Sequence, residues 1–291
     1  ALATTLKAYG EYCVMVGPSK KYETPEDSKI FTAWVPRPSW ESATADVNVF
    51  LQLAMRYSAR MAVLDDYRID EAYQLALRAA GMHWMQFDGS AHQPLWADLV
   101  LNASPDVKAE DYDSVLCNHK THLLLGPKYA ILRPEFVTPV KRQLRSGEYF
   151  RVLITFGGGD DRGAILFVLD ALYDFVPDAI LDIVSGAENP RIPEIERWVS
   201  QRGNLRVTLN VNPQPVRPIF ANCDLAVMGG GTTTFEVASC GVPMILLTIA
   251  ENQVHQAQGW EERGAAIYLG AYGEVQEKQL IKSLNMLRLD V

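Results

Sequence analysis

Short apolar runs alternate with amphipathic stretches along most of this chain, and their order predicts an α/β protein. Strand-length apolar runs occur at Tyr12–Gly17, Phe31–Val35, Met61–Leu64, His83–Phe87 and Ala97–Asn102. Trp40–Tyr57 and Asp70–Ala80 carry apolar residues at helical spacing, and Ala1–Gly10 patterns as the end of a further amphipathic helix. Pro18–Ser39 is otherwise polar and proline-containing, as expected of loop. The alternation resumes with strands at Arg151–Phe156, Ala179–Val184, Leu205–Leu209 and Ala266–Leu269, and helices at about Ala164–Phe175, Pro193–Arg202 and from Val275. Strands separated by single helices imply parallel sheets with helices packed on their faces. The 291 residues suit two domains better than one. Val137–Tyr149, charged and proline-bearing, reads as the join, giving domains over 1–142 and 143–291. A doubly wound domain opens with a strand and a glycine-rich turn, and neither stands before the helix that ends near Gly10.

The stretch that carries most chemistry is Ala226–Trp260, read as strand, triple glycine, three threonines, helix, second strand, polar loop and another helix. Gly229, Gly230 and Gly231 take away side chains where backbone must turn sharply or approach a ligand. Thr232, Thr233 and Thr234 follow where the helix should begin, and the orphan N–H groups of a helix start attract anions. Glu236, just inside that helix, is placed to accept two sugar hydroxyls from a ligand whose phosphate sits at the turn. Gly157-Gly158-Gly159-Asp160 forms a second glycine-rich turn, without the lysine of a P-loop or the G-x-G-x-x-G of a dinucleotide fold. In the first half, strands end in Asp65-Asp66-Tyr67, Asp88 and Asn102, carrying polar groups toward one rim. Taken singly, each is an ordinary turn residue.

The run E-V-A-S-C-G-V-P from Glu236, followed by E-N-Q at Glu251–Gln253, resembles the nucleotide-sugar site of two-domain GT-B enzymes of the MurG type. The strand ending in Asp65-Asp66-Tyr67, Phe87-Asp88, A-D-L-V-L-N over Ala97–Asn102 and L-G-P-K-Y-A-I-L-R-P-E-F over Leu125–Phe136 together resemble the PseG family. Those are UDP-sugar hydrolases of pseudaminic acid biosynthesis, and the resemblance runs from the first residues to about Leu269. It implies two Rossmann-like domains facing across a cleft, the sugar and catalytic side on the N-terminal domain and UDP on the C-terminal one. Glu236 would hold the ribose, Gly231, Thr232 and Thr233 the diphosphate, and Gln253 the sugar. Tyr67 and Asn252 become the catalytic candidates, while Gly157, Gly158 and Asp160 join the substrate-binding set. The loop after Leu209 falls where such enzymes read the base through backbone groups. The sequence departs from the family at its start. A Gly-x-Gly-His-x-x-Arg loop, with the first strand and the water-activating histidine, is expected just ahead of Ala1 and is absent from this chain. The F-D-D of relatives also reads Phe87-Asp88-Gly89, and the C-terminal tail is shorter. His83, His92, His119 and His122 match no family motif and read as structural; His255 reads as a helix-surface residue.

Charge narrows the partners. A net charge of −8 disfavours nucleic acid and anionic membranes, whose affinity rests on Lys and Arg. A nucleotide ligand remains compatible, since backbone N–H groups can hold a diphosphate. Cys13, Cys117, Cys223 and Cys240 show no C-x-x-C spacing, which points to reduced thiols and a cytoplasmic location. No apolar run reaches membrane-spanning length. No metal cluster and no cofactor are read, Asp65-Asp66 being a strand-end cap. The activity implied by the resemblance is metal-independent hydrolysis of a UDP-linked 2,4-diacetamido-2,4,6-trideoxy hexose at its anomeric carbon. The alternatives are a MurG-like glycosyltransferase and a catalytically silent UDP-sugar binding protein.

Overall fold

The computed structural model of the chain describes residues 1–37, 41–138, 150–202 and 206–289. Most of the join expected over Val137–Tyr149 lies outside the described residues, as do the expected helix start at Trp40 and strand start at Leu205. The chain divides into two compact units, Ala1–Ile131 and Leu132–Val291.

The first unit contains a four-stranded parallel sheet in simple sequence order, β3 (Met61–Leu64), β4 (His83–Phe87), β5 (Leu99–Asn102) and β6 (His122–Leu125). The two leading strands, β1 (Val14–Gly17) and β2 (Ala33–Pro36), pair with each other in a separate parallel sheet. Edge strand β3 alternates exposed and buried positions, whereas the middle of β4 is buried throughout. A strand with one bare face needs that alternation; a covered inner strand does not. Helices Ala43–Arg56 and Glu71–Ala79 start where side chains cap them: Ser42 accepts from the Ala45 N–H and Asp70 from the Tyr73 N–H. Their apolar faces join Leu64, Trp84, Val100 and Tyr112 in one core.

The second unit is a six-stranded, wholly parallel sheet. Its strands are β7 (Arg151–Thr155), β8 (Ile180–Ser185), β9 (Val207–Val211), β10 (Leu225–Met228), β11 (Met244–Thr248) and β12 (Ala266–Ala271). They lie in the order β12-β11-β10-β7-β8-β9. The first strand thus sits beside the fourth, as in a doubly wound dinucleotide fold, and winding reverses between β7 and β10. Strands β10 and β11 are buried at every position. Helix Ala164–Phe175 buries Ala164, Ile165, Val168, Leu169, Ala171 and Leu172, three to four residues apart, against this sheet.

The division between units falls at Ile131/Leu132, ahead of the boundary the sequence suggested at 142/143. The reason is packing: Phe136 is buried against Phe220 at a ring separation of 5.7 Å, inside the second unit. Apolar contact, rather than the charge and proline content of the following segment, decides where Leu132–Phe136 belongs.

Candidate functional site

Ligands of doubly wound sheets bind beyond the carboxyl ends of the strands where winding reverses. In the second unit that place is the space beyond β7 and β10, and each strand ends in one of the two glycine-rich turns. The register pairs Met228 with Thr155, and the Gly229 N–H donates to the Thr155 carbonyl at 3.1 Å. The two turns therefore leave the sheet side by side.

The turn after β10 is closed to a side chain at Gly230. A Cβ on Gly230 would stand 2.9 Å from the Gln253 carbonyl oxygen and 3.2 Å from Ala257 Cβ. Helix Val254–Glu262 thus lies directly against the glycines. Gln256 Nε2 donates to the carbonyls of Gly230 (2.9 Å) and Gly231 (2.6 Å) and to Thr234 Oγ1 (2.9 Å). Thr234, wholly buried, donates to the Gly231 carbonyl at 2.8 Å and accepts from Trp260 Nε1 at 2.8 Å. Of the three threonines, this one is a structural rivet and offers no hydroxyl to a ligand. Neither Gln256 nor Trp260 was singled out by the sequence reading; helical i,i+4 spacing on an apolar face is the signal that could have found them. Among the described residues, no hydrogen bond occupies the N–H groups of Gly231, Thr232 and Thr233, while those of Thr234 and Phe235 turn back onto Gly231 and Thr232. Thr232 is exposed and Gly231 and Thr233 half-buried.

Glu236 stands one turn into helix Thr233–Ser239. Both of its oxygens accept from one guanidinium, Arg133 Nε to Oε1 and Nη2 to Oε2, each at 2.6 Å. This bidentate pair raises the Arg133 pKa, against burial acting the other way. Glu236, expected from the sequence to accept two sugar hydroxyls, thus also has a charged partner from the R-P-E-F segment.

The turn after β7 is tight for a different reason. Gly157 has φ +93°, a conformation side chains disfavour. A Cβ on Gly186, at the end of β8, would stand 2.5 Å from Gly158 Cα, so the two turns touch through bare backbone. Asp160 is exposed, accepting from the Arg162 N–H at 2.8 Å and from Arg191 Nε at 3.3 Å.

Gln253 and Asn252 lie in the single turn Glu251–Gln253. Gln253 is half-buried and its Oε1 accepts from the Ile249 N–H at 3.0 Å, so its carbonyl end is structural. Asn252 is exposed. The structure thus brings Gly157, Gly158, Asp160, Gly231, Thr232, Asn252 and Gln253 onto the loops, and Thr233 and Glu236 onto the first turn of a helix, at the carboxyl edge of one sheet. Tyr67 is the candidate contributed by the first unit, 92% exposed beyond the end of β3. Its strand-end companions are otherwise engaged. The Tyr112 hydroxyl donates to Asp88 (2.7 Å) and accepts from Asn102 Nδ2 (3.0 Å), and burial pushes its pKa up. Asp66 is clasped by Arg68, whose hydrogen bonds hold its carboxyl below the usual range. The expected polar rim is therefore largely a set of loop-closing bonds.

His255 is exposed on its helix. Among the described residues no group of three or more His, Cys, Asp or Glu is arranged to hold a metal ion. No helix among them is long and apolar enough to cross a membrane. All four cysteines are free.

No family model matches the chain. It is 26% identical over 196 residues to the spore coat polysaccharide biosynthesis protein SpsG of Bacillus subtilis, covering 66% of this chain and 56% of that protein. The chain spans about half the length of the curated relatives it matches. Its fold superposes on MurG of Acinetobacter baumannii with a TM-score of 0.66, covering 98% of this chain and 85% of that one at 15% identity. The chain has the GT-B fold. The spinosyn rhamnosyltransferase SpnG, solved with thymidine diphosphate, gives the same TM-score at 14% identity, covering 98% of this chain and 88% of that one.

Proposed function

We propose that the chain binds a UDP-sugar through its second unit and hydrolyses it at the anomeric carbon, releasing UDP and a 2,4-diacetamido-2,4,6-trideoxy hexose. The observation that carries this reading is the meeting of two glycine-rich turns at the point where winding reverses, with Glu236 fixed one turn beyond. The N–H groups of Gly231, Thr232 and Thr233 receive the diphosphate, and Glu236 accepts from the ribose hydroxyls. Gly157 and Gly158 leave space for the ligand backbone, while Asp160 and Gln253 border it. Cleavage breaks the C1–O bond to the β-phosphate as water attacks C1, so positive charge grows on the ring while negative charge grows on UDP. Backbone N–H groups aimed at the diphosphate stabilise that departing charge. Asn252, exposed and polar, is assigned to the sugar and its attacking water, and Tyr67, the exposed candidate of the first unit, is assigned a catalytic role.

The relatives lend support: SpsG is named for polysaccharide biosynthesis, and SpnG holds a nucleoside diphosphate in its structure. The likeness to MurG and SpnG favours a second reading, a glycosyltransferase using the same donor half-site. UDP release from the sugar nucleotide, measured without any acceptor, separates the two. Release in water alone supports hydrolysis; release only on adding a saccharide or lipid acceptor supports transfer. Calorimetry with Glu236→Ala tests the shared premise. Losing two charge-assisted hydrogen bonds should weaken UDP binding by about 2–3 kcal/mol, and unchanged affinity would remove the ribose assignment.

A further inference from the structure

The segment Arg133-Pro134-Glu135-Phe136 belongs to no strand or glycine-rich turn of the site, yet its Arg133 holds Glu236 and its other residues hold Arg133. Pro134 biases the residue before it toward extended backbone, and Arg133 has φ −58° and ψ 146°. Phe136, 1% exposed and packed on Phe220, anchors the segment, and the Arg133 guanidinium lies 5.2 Å over its ring centre. Glu135 accepts from the Arg217 N–H at 3.2 Å and stands 3.8 Å from Arg133 Nη1. The guanidinium is thus held by a ring, a carboxylate and a fixed backbone before it meets Glu236.

We propose that Arg133 is a positioning residue that orients the Glu236 carboxylate for recognition of a vicinal diol, the 2′- and 3′-hydroxyls of the nucleotide. This inference rests on the assignment of Glu236 to the ribose. Each carboxylate oxygen has two lone pairs, and a parallel guanidinium fork uses one on each. The plane of the carboxylate is then fixed, and one lone pair per oxygen stays available to an O–H donor. A free glutamate would give up rotamer freedom on binding; this one, with its side chain 12% exposed and bonded twice at 2.6 Å, has already lost it. In this role Arg133 acts through Glu236.

The test is calorimetric titration of the full chain with UDP and with 2′-deoxy-UDP, for wild type, Arg133→Ala, Arg133→Lys, Glu236→Gln and the double variant Arg133→Ala/Glu236→Gln. Wild type should prefer UDP by about tenfold or more, the worth of one hydrogen bond to a charged group. Arg133→Ala should weaken UDP about tenfold and 2′-deoxy-UDP, which keeps the 3′-hydroxyl, by distinctly less, so that the preference shrinks. Arg133→Lys, with a point charge instead of a fork, should recover only part of it. The double variant should discriminate no less than Glu236→Gln alone. A merely structural role would weaken both nucleotides equally, which overturns the proposal, as does an Arg133→Ala variant that binds UDP as tightly as wild type or more tightly. If Glu236→Gln itself leaves the UDP preference intact, the ribose assignment fails first and takes this inference with it.

Discussion

The rivet at Thr234 offers the sharpest test of how the glycine-rich turn after β10 is built. Thr234→Val keeps the shape of the side chain and removes its hydroxyl. Three hydrogen bonds go with it: to the Gly231 carbonyl, and from Gln256 Nε2 and Trp260 Nε1. Their losses are unequal. The Gly231 carbonyl keeps Gln256 as donor and Gln256 keeps the carbonyls of Gly230 and Gly231, so these two cost little beyond the bonds themselves. Trp260, only 5% exposed, is left with a buried N–H. That group costs about 1–3 kcal/mol, and the other two bonds about 0.5 kcal/mol each once their partners re-pair. The expected destabilisation is about 3 kcal/mol, which in a unit of this size lowers its melting temperature by about 6–12 °C. Thr234→Ser keeps the hydroxyl and loses one methyl, worth about 1 kcal/mol. Scanning calorimetry of the three proteins should rank them wild type, Ser, Val, although Val is the more apolar and the closer in shape. UDP affinity should fall in the same order, since the carbonyls of the turn lose an anchor. A Val variant as stable as the Ser variant would refute the reasoning.

Other outcomes follow from the same geometry. On the catalytic role proposed for Tyr67, Tyr67→Phe should lower the turnover number for UDP release at least tenfold while leaving the UDP dissociation constant unchanged; equal losses in steady-state kinetics and calorimetry would remove that role. Gly186→Ala drives a methyl into Gly158 backbone and should destabilise the second unit by about 1–3 kcal/mol. Gly159→Ala meets nothing within 4 Å and should stay within about 0.5 kcal/mol of wild type in urea unfolding. Cys223 and Cys240 are buried, and burial raises the Cys240 thiol above its ordinary pKa. Both should resist a colorimetric thiol reagent in the native protein and react in guanidinium; prompt labelling of all four native cysteines would contradict the packing.

Most of the fold was legible because buried parallel strands leave continuous apolar runs: β7, β10 and β11 stand where the sequence put them. The pairing of β1 with β2 alone was not legible, since strand order is decided by which surfaces meet and not by any run of residues. The glycines and Glu236 were visible through spacing within one segment. Arg133 was not visible as their partner, because 103 residues separate it from Glu236 and no local pattern signals so distant an ion pair. Gly186 was passed over for a related reason: its constraint comes from Gly158 across the sheet, and a lone glycine after a strand resembles any turn. Polar strand ends misled in the opposite sense. Asp88 and Asn102 have the composition of a site, but the Tyr112 hydroxyl between them consumes that capacity in closing loops.

Where Leu132–Phe136 packs also determines how the protein can be dissected. A recombinant fragment cut at residue 143 would retain all six strands β7–β12, and by secondary structure it would look intact. It would lack the aromatic ring that covers Phe220 and the cation that meets Glu236. A fragment meant to test the proposed nucleotide site should therefore begin at Leu132. Weak binding by the shorter fragment would report the place of the cut and leave the site itself unjudged.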